Sequence, residues 1–212
     1  MKSCFVPADI LLPDFDRVDG EKWAVIACDQ FTSRPEYWER AGELVGNSPS
    51  TLNLILPEYR LADAECVLPK IIACIEKYQG SILREYKDTM IYVERRLPTG
   101  GVRRGIVGAV DLECYDWRPG TMTHVRATEG TVPERIPPRV KIRNRAPLEL
   151  PHIMLLADDP EKQIIEYFAS RKEKLVPAYD FDLMLGGGHI SAWFVDREGI
   201  DHVTREIARL AD

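Results

Sequence analysis

The sequence predicts an α+β fold, a mixed sheet with hairpins and packed helices, in a single domain covering residues 1–212. Three observations carry this. TMIYVERRL and GVRRGIVGAVDLE flank PTGG, and YDFDLMLGGGHISAWFVD breaks at Gly186, Gly187 and Gly188, so both read as antiparallel hairpins. Other stretches set apolar residues at helical spacing between capping residues and glycine stops. No internal repeat, low-complexity linker or interior boundary divides the chain.

The elements follow in order. WAVIACD, residues 23–29, is short and rich in Val, Ile and Trp, and reads as a buried strand ending on Cys28, Asp29 and Gln30. Ser33 and Glu36 then stand at the capping-box spacing with Pro35 in the first turn, which predicts a helix over 34–45 closed by Gly46 and Asn47. STLNLILPE alternates Leu52, Leu54 and Leu56 like a half-buried strand. Asp63 caps a helix that runs to Tyr78 and stops at Gly80, with Pro69 implying a start near Leu68 or a kink. The outer face of the first hairpin carries Glu94, Arg96, Arg103 and Arg104.

Residues 115–138 are rich in Pro, Gly and Thr and too long for a passive connection, the mark of a binding loop. RVKIRNR alternates strictly and predicts a strand with Arg139, Lys141, Arg143 and Arg145 on one face. PHIMLLADDPEKQIIEYFASRKEKL reads as a buried strand, then a helix with Asp159 as N-cap and Pro160 at its first position. REGIDHVTREIARLAD supplies a final helix.

Composition narrows the function. A net charge of -6 opposes wholesale nucleic-acid binding, although a local basic patch is present. The first residues carry acids and prolines instead of a signal-peptide core, and no run reaches the roughly 18 apolar residues of a membrane span. The five cysteines, Cys4, Cys28, Cys66, Cys74 and Cys114, form no Cys-x-x-Cys pair, which points to a reducing cytoplasm and away from a disulfide framework or zinc ribbon. No histidines stand at i,i+4, so no dedicated metal site is expected.

Chemistry concentrates in three places. Residues 126–145 hold Arg126, Arg135, Arg139, Lys141, Arg143 and Arg145 against Glu129 and Glu134. Guanidinium forks match phosphate or carboxylate bidentately, while a solvated face with ion pairs to Glu94 or Asp111 explains the same row. Thr128 and Glu129 stand beside Arg126, where a carboxylate orients arginines, binds a nucleotide's metal or takes a hydroxyl proton; pairing with a neighbouring Arg is the plain alternative. Asp29, at the end of the first strand and before a helix N-terminus, is either an acid, base or ligand or a turn-forming residue. Gly187, Gly188 and His189 either let backbone amides approach a phosphate or form a hairpin turn that needs positive φ.

The blocks WAVIACDQFTSRPEYW, PSTLNLILPE, RATEGTVPERIPPRVKIRNRAPLELPHIMLLADDPEK and YDFDLMLGGGHI together resemble the N-terminal half of the domain-of-unknown-function family 1015. That group is distantly similar to ParB-like proteins and to free-serine kinases, which use a nucleotide to phosphorylate a small hydroxyl substrate. Onto matching positions the resemblance carries Asp29, Arg126, Glu129, Arg135 and Arg139. It implies the nucleotide-binding part of a small-molecule kinase, with ATP or ADP and Mg²⁺ as cofactors and a serine-like hydroxyl acceptor. The arginines would hold the phosphates, and Asp29 or Glu129 would act as base or bind Mg²⁺. It also implies that the chain is either an N-terminal fragment or a short form that needs a partner, a second chain supplying a C-terminal half or a homo-oligomer. The competing expectation is a non-catalytic binding or regulatory module that docks an anionic ligand or partner through its Arg-rich face.

Overall fold

The computed structural model describes residues 3–26, 31, 34–116, 118, 120, 121, 123–126, 130, 132–146, 148–150 and 152–210. In chain order the strands and helices are β1 (Phe5–Val6), β2 (Ala8–Pro13), α1 (Gly20–Trp23), α2 (Pro35–Val45), α3 (Ala64–Gln79), β3 (Leu83–Thr89), β4 (Ile91–Arg96), β5 (Val102–Val107), β6 (Ala109–Val110), α4 (Ile136–Arg145), α5 (Ile165–Ala169), β7 (Val176–Leu183), β8 (Gly188–Phe194) and α6 (Arg197–Arg209). The α+β class stands.

A four-stranded antiparallel sheet, ordered β5-β4-β8-β7, organises the molecule, with β1–β6 and β2–β3 as separate antiparallel pairs. Because side chains alternate along a strand and directly opposed residues share a face, the register sorts the sheet into two surfaces. On the first, Tyr92 stands opposite Ile106 and Trp193. It packs with Phe168 of α5 and with Ile200 and Val203 of α6. Asp196 caps α6 by accepting the Gly199 N–H at 2.8 Å, which sets the helix phase that buries Ile200 and Val203. On the second surface, Phe181, Leu183 and Ile190 meet Tyr37 and Trp38 of α2. A third cluster joins α3 to α4, with Val67, Ile71, Ile75 and Tyr78 against Ala146 and Ile142.

Both hairpins, α2, α3 and α6 form where the sequence places them. Five local expectations do not hold among the described residues. Residues 23–26 are not a strand: Trp23 closes α1, whose N-cap Asp19 accepts from Glu21 and Lys22. The backbone after it is satisfied by side chains, with Ile26 N–H donating to the Tyr37 hydroxyl and Val25 N–H to Thr51. Thr51–Asn53 is a 3-10 turn where a strand was expected, because the Ser50 hydroxyl accepts the Leu52 N–H and offers the backbone a local alternative to a ladder. The helix α3 begins at Ala64, directly after Asp63, and runs through Pro69, but Asp63 makes no side-chain cap.

Residues 139–145 belong to helix α4 and not to a strand. Pro137 and Pro138 pre-set helical φ in its first turn, and Ile142 packs toward α3. Its basic row is partly neutralised, Lys141 by Glu65 and Arg143 by Glu149. Finally, residues 152–158 form no strand and are exposed, Met154 at 85% and Leu156 at 92%. Asp159 caps a turn there, accepting from Gln163 and Ile164, so the following helix starts only at Ile165.

No helix among the described residues is long and apolar enough to cross a membrane.

Candidate functional site

The second surface of the sheet ends in a pocket of about 770 Å³. Three segments converge on it: the start of α2, the β4–β5 hairpin and the turn between β7 and β8. Four guanidiniums line it, Arg34, Arg40, Arg95 and Arg103, beside one carboxylate, Glu36. Arg95 and Arg103 are directly opposed across β4 and β5. Like charges in that relation repel and destabilise the pair. Among the described residues none of the four arginines forms an ion pair within 4.0 Å. Arg95 is held in place by donating from Nε and Nη2 to the Gly187 carbonyl at 3.3 and 2.9 Å.

Local sequence explains this convergence. Helix α2 buries Tyr37, Trp38, Ala41 and Val45, which turns Arg40 to the rim of the pocket. Phe31 stacks on Tyr37 with ring centroids 4.0 Å apart, and its carbonyl accepts from the Trp38 indole at 3.1 Å. The pocket thus has an aromatic wall with cations beside it. On the opposite rim Leu185 takes left-handed backbone, φ 55 and ψ 33, strain of about 1–2 kcal/mol that the packed hairpin holds. Gly188, at φ +94, has no room for a Cβ, which would lie 2.0 Å from the Arg96 carbonyl oxygen.

The first surface carries charge of a different kind. The Glu94 carboxylate accepts from Tyr92 at 2.8 Å, Arg104 at 3.0 Å and Lys172 at 2.7 Å. Burial alone would raise its carboxyl, but those donors hold it below the usual carboxylate range. Burial, then the bond to Glu94, pushes the Tyr92 phenol up. Further along the same surface, His189 is clamped between Asp182, 2.8 Å from Nδ1, and Asp180, 3.0 Å from Nε2. The bond to Asp182 and then the contact with Asp180 raise its imidazole above the ordinary histidine value.

The sequence-derived candidates that the structure describes do not gather at one place. Asp29, Thr128 and Glu129 lie outside the described residues. Ile26 and Phe31, the described residues that flank 27–30 in the chain, both line the pocket. Gly187 lines it too, whereas His189 faces the other side of the sheet, across from Arg96 and Asp182. Gly188 serves the hairpin turn. Arg126, Arg135 and Arg139 are not among the pocket's lining residues; Arg126 is exposed, its Nε 3.5 Å from the Thr123 carbonyl, and Arg139 is exposed on α4.

The four pocket arginines were not picked out by sequence as a group, since they come from separate segments. One signal was present. Arg103 and Arg104 are neighbours on a strand and must point to opposite faces, so the outer face assigned to Glu94, Arg96, Arg103 and Arg104 cannot hold all four. The register keeps Glu94 and Arg104 together and sends Arg103 to the pocket with Arg95.

No curated protein and no solved structure matches the chain. A family model described as "Protein of unknown function (DUF1015)" matches residues 14–211. By that match over nearly its whole length, the chain belongs to the DUF1015 family.

Proposed function

We propose that the arginine pocket binds a phosphate-bearing small molecule, and that a nucleotide with Mg²⁺ is its ligand. One observation carries this reading: four guanidiniums, two of them directly opposed, line one pocket without an ion-pair partner among the described residues. An anion seated between Arg95 and Arg103 would replace their repulsion with bidentate, charge-assisted hydrogen bonds. The start of α2, which no described side chain caps, opens onto the same pocket and favours negative charge there. The volume suits a ligand of nucleotide size, and the Phe31–Tyr37 stack supplies an apolar wall for a planar ring.

Phosphoryl transfer to a serine-like hydroxyl is the finer form of this proposal. It assigns the proton-accepting or Mg²⁺-binding role to Asp29 or Glu129, and a reducing, cytoplasmic setting suits it. As a binding module, the chain would use the pocket without turnover.

Thermal unfolding with ATP, ADP or inorganic phosphate, each with and without Mg²⁺, tests the proposal. A ligand at a hundredfold excess over its Kd adds about 2.7 kcal/mol, which for a chain of this length raises Tm by roughly 5–10 °C. Arg40→Ala and Arg103→Ala each remove a charged hydrogen-bonding group of about 1.5–3 kcal/mol, so Kd should weaken about 10- to 100-fold. No shift with any of the three, or unchanged affinity in both variants, overturns the pocket assignment. Binding that survives without ATP turnover would leave the module reading and remove the kinase.

A further inference from the structure

The seam between β1 and β6 holds two thiols that no part of the pocket uses. Phe5 pairs with Val110, and the Asp111 N–H extends the ladder by donating to the Cys4 carbonyl at 2.8 Å. The chain then turns at once. Asp111 accepts the Glu113 N–H at 3.1 Å on its side chain and the Cys114 N–H at 3.0 Å on its carbonyl, closing the 3-10 turn Leu112–Cys114. That turn sets the Cys114 N–H on the carbonyl of Asp111, whose own N–H is bonded to the Cys4 carbonyl. Both cysteines are free and half-buried. They also feel one another: burial first, and Cys114 next, push the Cys4 thiol above its ordinary value. Cys66, by contrast, is exposed on α3, and Cys74 sits beside Tyr78 in the helical cluster.

We propose that Cys4 and Cys114 form a reversible intramolecular disulfide, made by a hydroperoxide and undone by small thiols, which ties β1 to the turn after β6. In the first step the Cys114 sulfur attacks one oxygen of hydrogen peroxide; an S–O bond forms, the O–O bond breaks, and the departing hydroxide leaves as water with the thiol proton. The Cys4 sulfur then attacks the sulfenic sulfur of Cys114; the S–S bond forms, the S–O bond breaks, and a second water carries off the Cys4 proton. The two sulfurs lose two electrons and one peroxide becomes two waters. Cys114, on the 3-10 turn, is assigned as the sulfur oxidised first and Cys4, at the head of the β1–β6 ladder, as the resolving partner.

The test uses the full chain with Cys28→Ser and Cys66→Ser, treated with stoichiometric hydrogen peroxide and mapped by mass spectrometry without reductant. The expected result is an intact mass lower by two hydrogens, a single Cys4–Cys114 linked peptide, and a Tm higher by several degrees that dithiothreitol reverses. Adding Cys4→Ser should stop the chemistry at a Cys114 sulfenic acid that dimedone captures. Oxygen addition at either cysteine with no linked peptide overturns the proposal, as does a linkage that avoids Cys4 or Cys114. The same map on the unsubstituted chain answers the question if the serine variants fold poorly.

Discussion

The two surfaces of the four-stranded sheet handle charge in opposite ways. Facing α5 and α6, Glu94 is only 12% exposed and is surrounded by Arg104, Lys172 and the Tyr92 hydroxyl, so each charge has its partner within 3.0 Å. Facing α2, Arg95 stands directly across from Arg103 with Arg34 and Arg40 nearby, and among the described residues no carboxylate closes the pairs. The same strand, β4, contributes Glu94 to one and Arg95 to the other. Charge on the first surface supports the fold; charge on the second has no ion-pair partner among the described residues.

The largest effect should come from breaking the compensated side. Glu94→Gln leaves Arg104 and Lys172 facing each other over a nearly covered position, and removing one partner of a buried pair costs up to about 3–5 kcal/mol. Since Arg104 and Lys172 keep 41% and 30% of their side-chain surface in water, a loss of about 1–3 kcal/mol in urea unfolding is expected. The sign with pH follows from the depressed Glu94 carboxyl. Its contribution is present above the unfolded value near 4.5 and disappears as pH falls through the lower folded value, so Glu94→Gln should flatten that acid limb.

Arg103→Ala, on the uncompensated side, should do little in a buffer of weakly binding anions: a change within about 0.5 kcal/mol, and in the stabilising direction, because it relieves the repulsion from Arg95. In phosphate buffer the order should reverse, with the unsubstituted chain gaining stability that the variant does not. Arg103→Ala costing as much as Glu94→Gln under both conditions would erase the contrast between the surfaces and show that Arg103 is structural.

Part of this contrast was legible in the sequence. Two hairpins, α2, α3 and α6 came from periodicity and glycine turns, since those signals are local and strong. Residues 139–145 misled because a basic residue at every second position suits a strand, while Pro137 and Pro138 in the preceding turn and the contact of Ile142 toward α3 decided for a helix. The run at 152–156 read as a buried strand from hydrophobicity alone, yet exposure of Ile153, Met154 and Leu156 shows that composition cannot report whether a partner exists. The arginine pocket was harder still. Arg34 and Arg40 lie more than fifty residues from Arg95 and Arg103, and only strand register brings them to one surface. The dense run at 126–145 is contiguous, and its Arg126, Arg135 and Arg139 do not line that pocket.

The smallest expected effect lies where the two surfaces meet the glycine turn. Gly187 lines the pocket, while His189, two residues on, is held on the opposite surface by Asp180 and Asp182. The Asp182 bond, followed by that to Asp180, raises the folded-state imidazole above its unfolded value near 6.5. A raised histidine contributes stability that is fully present below pH 6.5 and is lost as pH climbs through the folded value. Asp180 acts in the other direction: the Ser191 hydroxyl and then His189 hold its carboxyl below 3.8, so its share is lost only in stronger acid. Asp180 and Asp182 keep 65% and 81% of their side-chain surface in water, which limits the clamp to less than about 1 kcal/mol. Urea unfolding of His189→Gln should therefore match the unsubstituted chain at pH 8 and fall below it by a few tenths of a kcal/mol at pH 5.5. Phosphate affinity should not move, because this histidine faces away from the pocket. A His189→Gln variant that loses phosphate binding while folding normally would instead join the two surfaces into one site and move the proposed ligand toward the turn.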